Sequence, residues 1–111
     1  MSIPRIPYVK QYIRRNIRRI RTIGDVAKGL RVPGETLRRV FRREAGEPLS
    51  EFISGTRIAL LQRRLARTRR RCFELIFDAG FTREDSAART FRRRIGMTME
   101  EYRRRQSARR R

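Results

Sequence analysis

The chain has 111 residues, of which 31 are lysine or arginine and 11 are aspartate or glutamate, giving a formal net charge of +20. A surface this basic repels itself unless a polyanion neutralises it, which favours nucleic acid or anionic lipid as the partner. With no histidine and with Cys72 as the single cysteine, the chain lacks the residues for an ordinary His/Cys zinc site or a histidine-based catalytic triad.

The same composition bears on location and class. A lone cysteine permits no internal disulfide, which fits a reducing cytosol, and we expect Cys72 to be a buried structural thiol rather than a reactive one. The N-terminus has no apolar run long enough for a signal peptide or a membrane span. These features predict a cytoplasmic protein with no metal, no cofactor and no enzyme activity.

Helical periodicity starts near the N-terminus. Residues 2–7 form a short arm, and Pro7 suits the first position of a helix. Apolar residues then recur at three- and four-residue steps, which predicts an amphipathic helix with arginines on its outer face. These residues are Tyr8, Val9, Tyr12, Ile13, Ile17 and Ile20. A short second helix continues the pattern with Ile23, Val26, Ala27 and Leu30.

A turn and a third helix complete a first unit, residues 8–46. Pro33 biases the preceding residue away from helix, so residues 31–34 are predicted to form a turn. The third helix starts at about Glu35 and ends at Gly46. Its inward residues are Leu37, Val40 and Phe41. A short helix, a tight turn and a second helix with a basic face form the helix-turn-helix pattern.

A second unit, residues 72–104, follows a connecting helix of residues 49–66. In its first helix the apolar face is predicted to consist of Phe73, Ile76 and Phe77. The turn is Ala79-Gly80-Phe81-Thr82, where Thr82 suits the capping position of the next helix, about residues 83–95.

The end of the second unit is predicted to be a short helix. Thr98 suits its capping position, and the helix is expected to run through Tyr102. The charge run from Arg103 onward is expected to be frayed and solvated, leaving residues 105–111 as a basic tail.

An internal repeat relates the two units. The stretch Arg39-Val40-Phe41-Arg42-Arg43-Glu44-Ala45-Gly46 returns 50 residues later (39 to 89) as Arg89-Thr90-Phe91-Arg92-Arg93-Arg94-Ile95-Gly96. The same offset pairs Glu51/Glu101, Phe52/Tyr102, Leu49/Met99, Val26/Ile76 and Thr36/Ser86. We therefore predict one all-α domain, residues 1–111, in which a central linker helix joins two helix-turn-helix subdomains, with about seven helices in all.

These residues resemble the DNA-binding domain of the AraC/XylS family of bacterial transcription regulators. The second unit carries that family's pattern best, in Ala79-Gly80-Phe81, Arg89-Thr90-Phe91-Arg92-Arg93, Ile95-Gly96-Met97-Thr98 and Tyr102-Arg103. The resemblance covers about residues 8–104, and its spacing is specific because several anchors must agree at once. The chain departs from the pattern at Pro33, Ile76 and Met99, where members usually have a serine-like cap, an alanine and a proline.

The resemblance implies a function and a set of partners. Two recognition helices would enter adjacent major grooves of double-stranded DNA, whose openings recur about every 34 Å. A monomer would then read an asymmetric site, contact RNA polymerase and activate transcription in the bacterial nucleoid. The family's usual ligand-sensing domain has no counterpart in this sequence, so no small-molecule ligand is expected, and no membrane partner.

The DNA-contacting residues of the first unit follow from helix-turn-helix geometry, in which the N-terminal part of the second helix faces base edges. Glu35, Arg38 and Arg39 occupy that face, and arginine suits guanine because it donates to both O6 and N7. Arg42 and Arg43, a turn later, and Arg31 in the turn are predicted to contact phosphates, which set position without reading sequence.

In the second unit the predicted base-facing residues are Glu84, Asp85, Ala88 and Arg89. Arg89 matches Arg39 in the repeat and is the predicted base reader. The predicted phosphate contacts are Arg83, Arg92 and Arg93. Glu84 and Asp85 have two interpretations: a carboxylate can accept from cytosine N4, or it can stabilise the positive N-terminus of its helix.

Two other classes fit the charge. A nonspecific basic protein that compacts DNA or binds RNA would show the same steep salt dependence as a regulator, but a regulator prefers its own site by roughly 10³ or more. A membrane-active basic protein is the other class, although the apolar helix faces are needed for one another.

Overall fold

The computed structural model describes residues 3–110; Met1, Ser2 of the predicted arm and Arg111 of the predicted tail lie outside that range. Within it the chain is helical, without strands, which confirms the all-α prediction. The seven helices are α1 (Ile6–Asn16), α2 (Ile23–Leu30), α3 (Gly34–Ala45), α4 (Leu49–Arg67), α5 (Cys72–Asp78), α6 (Glu84–Ile95) and α7 (Met99–Arg109).

The chain divides into two compact units, Met1–Thr56 and Arg57–Arg111, which we call the N-terminal and C-terminal units. The boundary falls inside α4, so the first half of this helix packs in one unit and the second half in the other. Each unit therefore contains a helix-turn-helix pair and part of α4, together with α1 in the N-terminal unit and α7 in the C-terminal unit.

In the N-terminal unit the long first helix predicted from the periodicity is broken. α1 ends at Asn16, whose side-chain amide donates to the Tyr12 carbonyl at 2.8 Å, and a 3-10 turn of residues Ile17–Arg19 follows. The apolar pattern survives the break because Ile17 and Ile20 are both buried. The amide thus adds a side-chain hydrogen bond in the last turn of α1.

A capping box starts α2. The Asp25 N–H donates to the Thr22 hydroxyl at 3.2 Å, while the Asp25 carboxylate accepts from the N–H groups of Thr22, at 3.0 Å, and Arg21, at 2.7 Å. The Thr-x-x-Asp spacing that produces this arrangement is visible in the sequence. Val26 and Ala27 are the buried residues of α2.

The C-terminal unit has its own buried cluster, drawn from the second half of α4 and from α5, α6 and α7. It consists of Ile58, Leu61, Leu65, Leu75, Ile76, Ala79, Phe81, Ala87, Phe91 and Met99. Cys72 is half-buried and packs against this cluster, and burial raises the pKa of its thiol. A raised pKa keeps the sulfur as the less reactive thiol at neutral pH.

The repeat is confirmed over α3 and α6. The pattern of buried and exposed side chains along residues 35–50 recurs position for position along residues 85–100. Phe41 packs on Phe52 with ring centroids 5.5 Å apart, and Phe91 packs edge-on to Tyr102 at 5.7 Å. α3 and α6 both end at a left-handed glycine, Gly46 and Gly96 respectively, as predicted.

Over α2 and α5 the repeat shifts by one residue, so the predicted Val26/Ile76 pairing is wrong. The Val32 N–H donates to the Ala27 carbonyl at 3.0 Å, and its counterpart is the Phe81 N–H donating to the Ile76 carbonyl at 3.2 Å. Ala27 and Ile76 are 49 residues apart (27 to 76). The extra residue lies between Ile76 and α6, because seven residues (77–83) connect them whereas six residues (28–33) connect Ala27 to α3.

The shift also corrects the predicted apolar face of α5. Leu75 and Ile76 are the buried residues of this helix, whereas Phe73 and Phe77 are 41% and 46% exposed. A seven-residue helix has only two turns, and two adjacent buried residues are enough to fix which side faces the core. The prediction was therefore right for Ile76, wrong for Phe73 and Phe77, and missed Leu75.

Two predictions about helix ends also differ from the structure. The residue that caps α6 is Arg83, with no side-chain capping bond, and not Thr82. α7 continues through Arg109 rather than ending near Tyr102, since neither glycine nor proline follows to stop it. Thr98 does cap α7: its hydroxyl accepts from the Glu101 N–H at 3.2 Å, as predicted.

Candidate nucleic-acid interface

The N-terminal unit presents its predicted DNA-facing residues on one exposed helix. Glu35, Arg38 and Arg39 lie in the first half of α3 with exposed side chains. They are exposed because Leu37 and Phe41, on the opposite side of the helix, are fully buried. Burial of that apolar stripe fixes the rotation of α3 and leaves the arginines in solvent.

A shallow groove lies along the same helix. Arg38 and Arg42, one turn apart, line it together with Ser50 at the start of α4. Two exposed arginines therefore border one concave surface of the N-terminal unit. Arg43 is exposed on another side of the helix and forms an ion pair with Glu44, with Nη2 and Oε2 at 3.7 Å.

Arg31 occupies an unusual backbone conformation. It ends α2 with φ 59° and ψ 44°, the left-handed region, and it is the one residue other than glycine with positive φ in the part of the chain that the structure describes. Its counterpart in the C-terminal unit is Gly80, with φ 97°. Left-handed backbone disfavours side chains, and here the exposed arginine stands in the turn just before the predicted recognition helix.

The C-terminal unit places Glu84, Asp85, Ala88 and Arg89 on the exposed face of α6. Arg83 donates to Asp85 through both Nε–H, to Oδ1 at 3.1 Å, and Nη2–H, to Oδ2 at 3.0 Å. Arg89 Nη2 lies 4.0 Å from the same Oδ2. The Arg83 guanidinium holds the pKa of Asp85 below its ordinary value, so this carboxyl stays ionised.

These contacts bear on the two interpretations of the acidic residues. Glu84 and Asp85 both lie in the first turn of α6, where the helix dipole favours negative charge. Asp85 is in addition engaged by two arginines, a contact that the sequence analysis missed. The sequence feature that could have predicted this contact is the Arg-x-Asp-x-x-x-Arg spacing, which brings both guanidinium groups within reach of one carboxylate.

The remaining predicted phosphate contacts, Arg92 and Arg93, are exposed in the last turn of α6. Over residues 3–110, no group of three or more acidic or cysteine side chains is arranged to hold a metal ion. Nor does any helix in that range combine the length and apolarity needed to cross a membrane.

Two helix-turn-helix units, each with a buried apolar stripe and an exposed basic face on its second helix, define a DNA-binding domain of the double helix-turn-helix class. A family model described as a helix-turn-helix domain matches residues 26–105. The chain belongs to the AraC/XylS family of helix-turn-helix transcription regulators, which is a class of DNA-binding proteins and not of enzymes.

Regulatory proteins from enteric bacteria are among its relatives. The regulatory protein SoxS of Salmonella typhimurium is 33% identical over 69 residues, which is 62% of this chain and 64% of SoxS. SoxS of Escherichia coli K12 is 32% identical over the same length. The match therefore spans less than two thirds of these relatives.

Solved structures share the fold over nearly the whole chain. The DNA-binding domain of AdpA, a global transcriptional factor solved in complex with a target DNA, superposes with a TM-score of 0.87 at 23% identity, covering 98% of this chain and 97% of that one. An AraC-type transcriptional regulator from Chromobacterium violaceum has a TM-score of 0.82 at 20% identity, covering 93% and 92%.

Proposed function

We propose that this protein is a sequence-specific regulator that binds double-stranded DNA through α3 and α6 and activates transcription from the promoter it occupies. The observation that carries the proposal is the recurrence of one basic, exposed helix face in both units, with the same burial pattern along residues 35–50 and 85–100. A protein that bound nucleic acid only through its overall charge of +20 would not need basic residues at matching positions in the two units.

In this proposal Arg38 and Arg39 read bases for the N-terminal unit, and Arg89 reads for the C-terminal unit. Arg31, Arg42 and Arg83 anchor the phosphate backbone. These assignments are supported by exposure, by position on the second helix of each unit, and by membership of a family of DNA-binding regulators. Arg92 and Arg93 add phosphate contacts at the far end of α6.

The two α-helices would occupy successive major grooves, so that a single copy of the chain covers a whole asymmetric site. The structural similarity to AdpA, whose DNA-binding domain was solved on a target DNA, supports this mode of binding. We further propose a cytoplasmic, nucleoid-bound protein that contacts RNA polymerase, as the family resemblance implies.

Selection of binding sites from random duplexes tests the proposal, at about 150 mM salt so that long-range attraction between exposed charges is screened. We expect a motif with two blocks about one helical turn apart. One block would show that only one unit reads bases, and the absence of any motif would favour the nonspecific class instead.

Arg39→Ala then tests the assigned base reader. Loss of a bidentate contact to guanine should weaken binding to the selected duplex by about 10- to 100-fold, with a much smaller effect on random DNA. Arg63→Ala is the matched control, because Arg63 is an exposed arginine of α4 outside both recognition helices. Equal losses for the two variants on both duplexes would refute the role of Arg39.

A further inference from the structure

The two recognition helices differ in how their arginines are engaged. In α6, Asp85 contacts both Arg83, through two hydrogen bonds of 3.0 and 3.1 Å, and Arg89, at 4.0 Å. All three side chains are more than half exposed. The carboxylate therefore lies on the surface that the proposed function assigns to DNA, between an assigned phosphate contact and the assigned base reader.

The N-terminal unit has no such arrangement. Among the residues that the structure describes, neither Arg38 nor Arg39 forms an ion pair, and Glu35, the counterpart of Asp85, forms none with Arg39. The C-terminal unit also has Ala88 where the N-terminal unit has Arg38. At the predicted base-reading positions, the N-terminal unit thus has two arginines without an ion pair. The C-terminal unit has one arginine, Arg89, which is in an ion pair with Asp85.

We propose that Asp85 is a specificity-determining residue that acts through Arg83 and Arg89. In the free protein its carboxylate holds the two guanidinium groups, so DNA must compete for them. On arbitrary DNA the phosphates gain little by displacing a carboxylate and are repelled by it. On a matching site Arg89 leaves the Asp85 carboxylate and donates two hydrogen bonds to a guanine. The C-terminal unit therefore binds a matching site in preference to other DNA.

This inference rests on the proposed function and gives the two units unequal tasks. In the N-terminal unit Arg38 and Arg39 can meet bases without first breaking an ion pair, and the assigned phosphate contacts Arg31 and Arg42 hold that unit on any duplex. The C-terminal unit adds little affinity on random DNA and therefore raises the ratio between the selected site and random sequence. The hydrogen bonds from Arg83 hold the pKa of Asp85 below its ordinary value, which agrees with this role because the carboxylate is charged in the free protein.

The test compares Asp85→Asn with Glu84→Gln. Both changes remove one negative charge from the first turn of α6, but Glu84 forms no ion pair within the described part of the chain. Affinities for the selected duplex and for a random duplex are measured by fluorescence anisotropy over a range of salt, and far-UV circular dichroism verifies that each variant keeps its helical content.

On random DNA we expect Asp85→Asn to tighten binding about two- to fivefold more than Glu84→Gln, the range corresponding to release of an exposed ion pair. The salt slope should become steeper than that of Glu84→Gln by about 0.9 for each arginine freed to meet a phosphate. The ratio of selected to random affinity should fall.

In a background of Arg83→Gln with Arg89→Gln, the excess effect of Asp85→Asn over Glu84→Gln should vanish, because the groups that Asp85 acts through are gone. An excess that persists in that background would overturn the inference. So would equal effects of the two single variants in the parent chain. A loss confined to the selected duplex would overturn it as well, because Asp85 would then contact a base itself.

Failure of the proposed function looks different. A parent protein with no preference for any duplex would remove the claim of sequence-specific regulation, and with it the claim that Asp85 determines specificity. The comparison of variants on random DNA would still show whether Asp85 restrains the arginines. The two failures therefore appear in separate measurements.

Discussion

Arg31 provides a test in which stability and DNA affinity should move in opposite directions. Its backbone lies in the left-handed region, φ 59° and ψ 44°, at the end of α2, where the C-terminal unit has Gly80. A side chain in this region costs about 1–2 kcal/mol. Glycine would relieve that cost but would add freedom to the unfolded chain, which costs about 0.5–1 kcal/mol.

The difference predicts that Arg31→Gly stabilises the protein by roughly 0.5–1 kcal/mol, or about 2–6 °C in the midpoint of thermal unfolding for a domain of this size. The same change removes an assigned phosphate contact, so the slope of log affinity against log salt should become shallower by about 0.9. A stabilised protein that binds DNA less tightly is the expected result.

Arg31→Ala is the matched control, because it removes the charge but keeps the Cβ atom that the left-handed backbone disfavours. It should lose the same DNA affinity as Arg31→Gly without the gain in stability. Thermal melts followed by circular dichroism, and anisotropy titrations at several salt concentrations, measure both quantities. Equal melting midpoints for the two variants would refute the strain argument, and an unchanged salt slope would refute the phosphate contact.

Two further predictions concern the stability of the folded chain. Ile76→Ala should destabilise the protein by about 2–5 kcal/mol, because it leaves a cavity in a buried site. Adding Ala87→Leu should recover part of that loss, since the equivalent positions in the N-terminal unit are alanine and leucine. A denaturant midpoint that is no higher for the double variant than for Ile76→Ala would contradict this prediction. Asp25 has its pKa lowered by the N–H groups of Arg21 and Thr22, so its stabilisation is present above the ordinary carboxyl pKa and is lost as pH falls through the lowered one. The melting midpoints of Asp25→Asn and the parent should therefore differ at neutral pH and converge in acid, and a difference that stays constant down to about pH 2 would exclude the capping box as its source.

The exchange of volume between Ile76 and Ala87 shows why a departure from the family pattern is tolerated. Ile76 stands where members usually have alanine, and it is buried in the same cluster as Ala87. The N-terminal unit has the reverse arrangement, with Ala27 on α2 and Leu37 on α3, both buried. Cores accept such swaps when the total volume is kept.

Much of the fold was predictable from local pattern. Apolar residues at helical spacing located the helices, and Gly46, Gly96 and Thr98 marked ends that the structure shows at the same places. Long amphipathic segments are predicted well because many residues must agree on one period. The repeated Phe-Arg-Arg stretch located α3 and α6 as equivalent helices of the two units for the same reason.

The errors fall where few residues carry the information. α5 has only seven residues, and the two phenylalanines that were predicted to lie on its buried face are exposed. The connection from Ile76 to α6 has one more residue than the connection from Ala27 to α3, which a fixed offset of 50 concealed. Short segments are decided by packing against the rest of the unit rather than by their own periodicity.

The sequence by itself determined the helical class, the two units, the equivalence of α3 and α6 and the basic character of their exposed faces, because each of these follows from periodicity and charge. Only the tertiary structure decided which of the arginines are already engaged. Asp85 reaches Arg83 and Arg89 because the turn and first two turns of α6 bring three side chains together, whereas Arg38 and Arg39 face solvent. That difference depends on side-chain geometry at the start of a helix, which residue types and spacing suggest but do not fix.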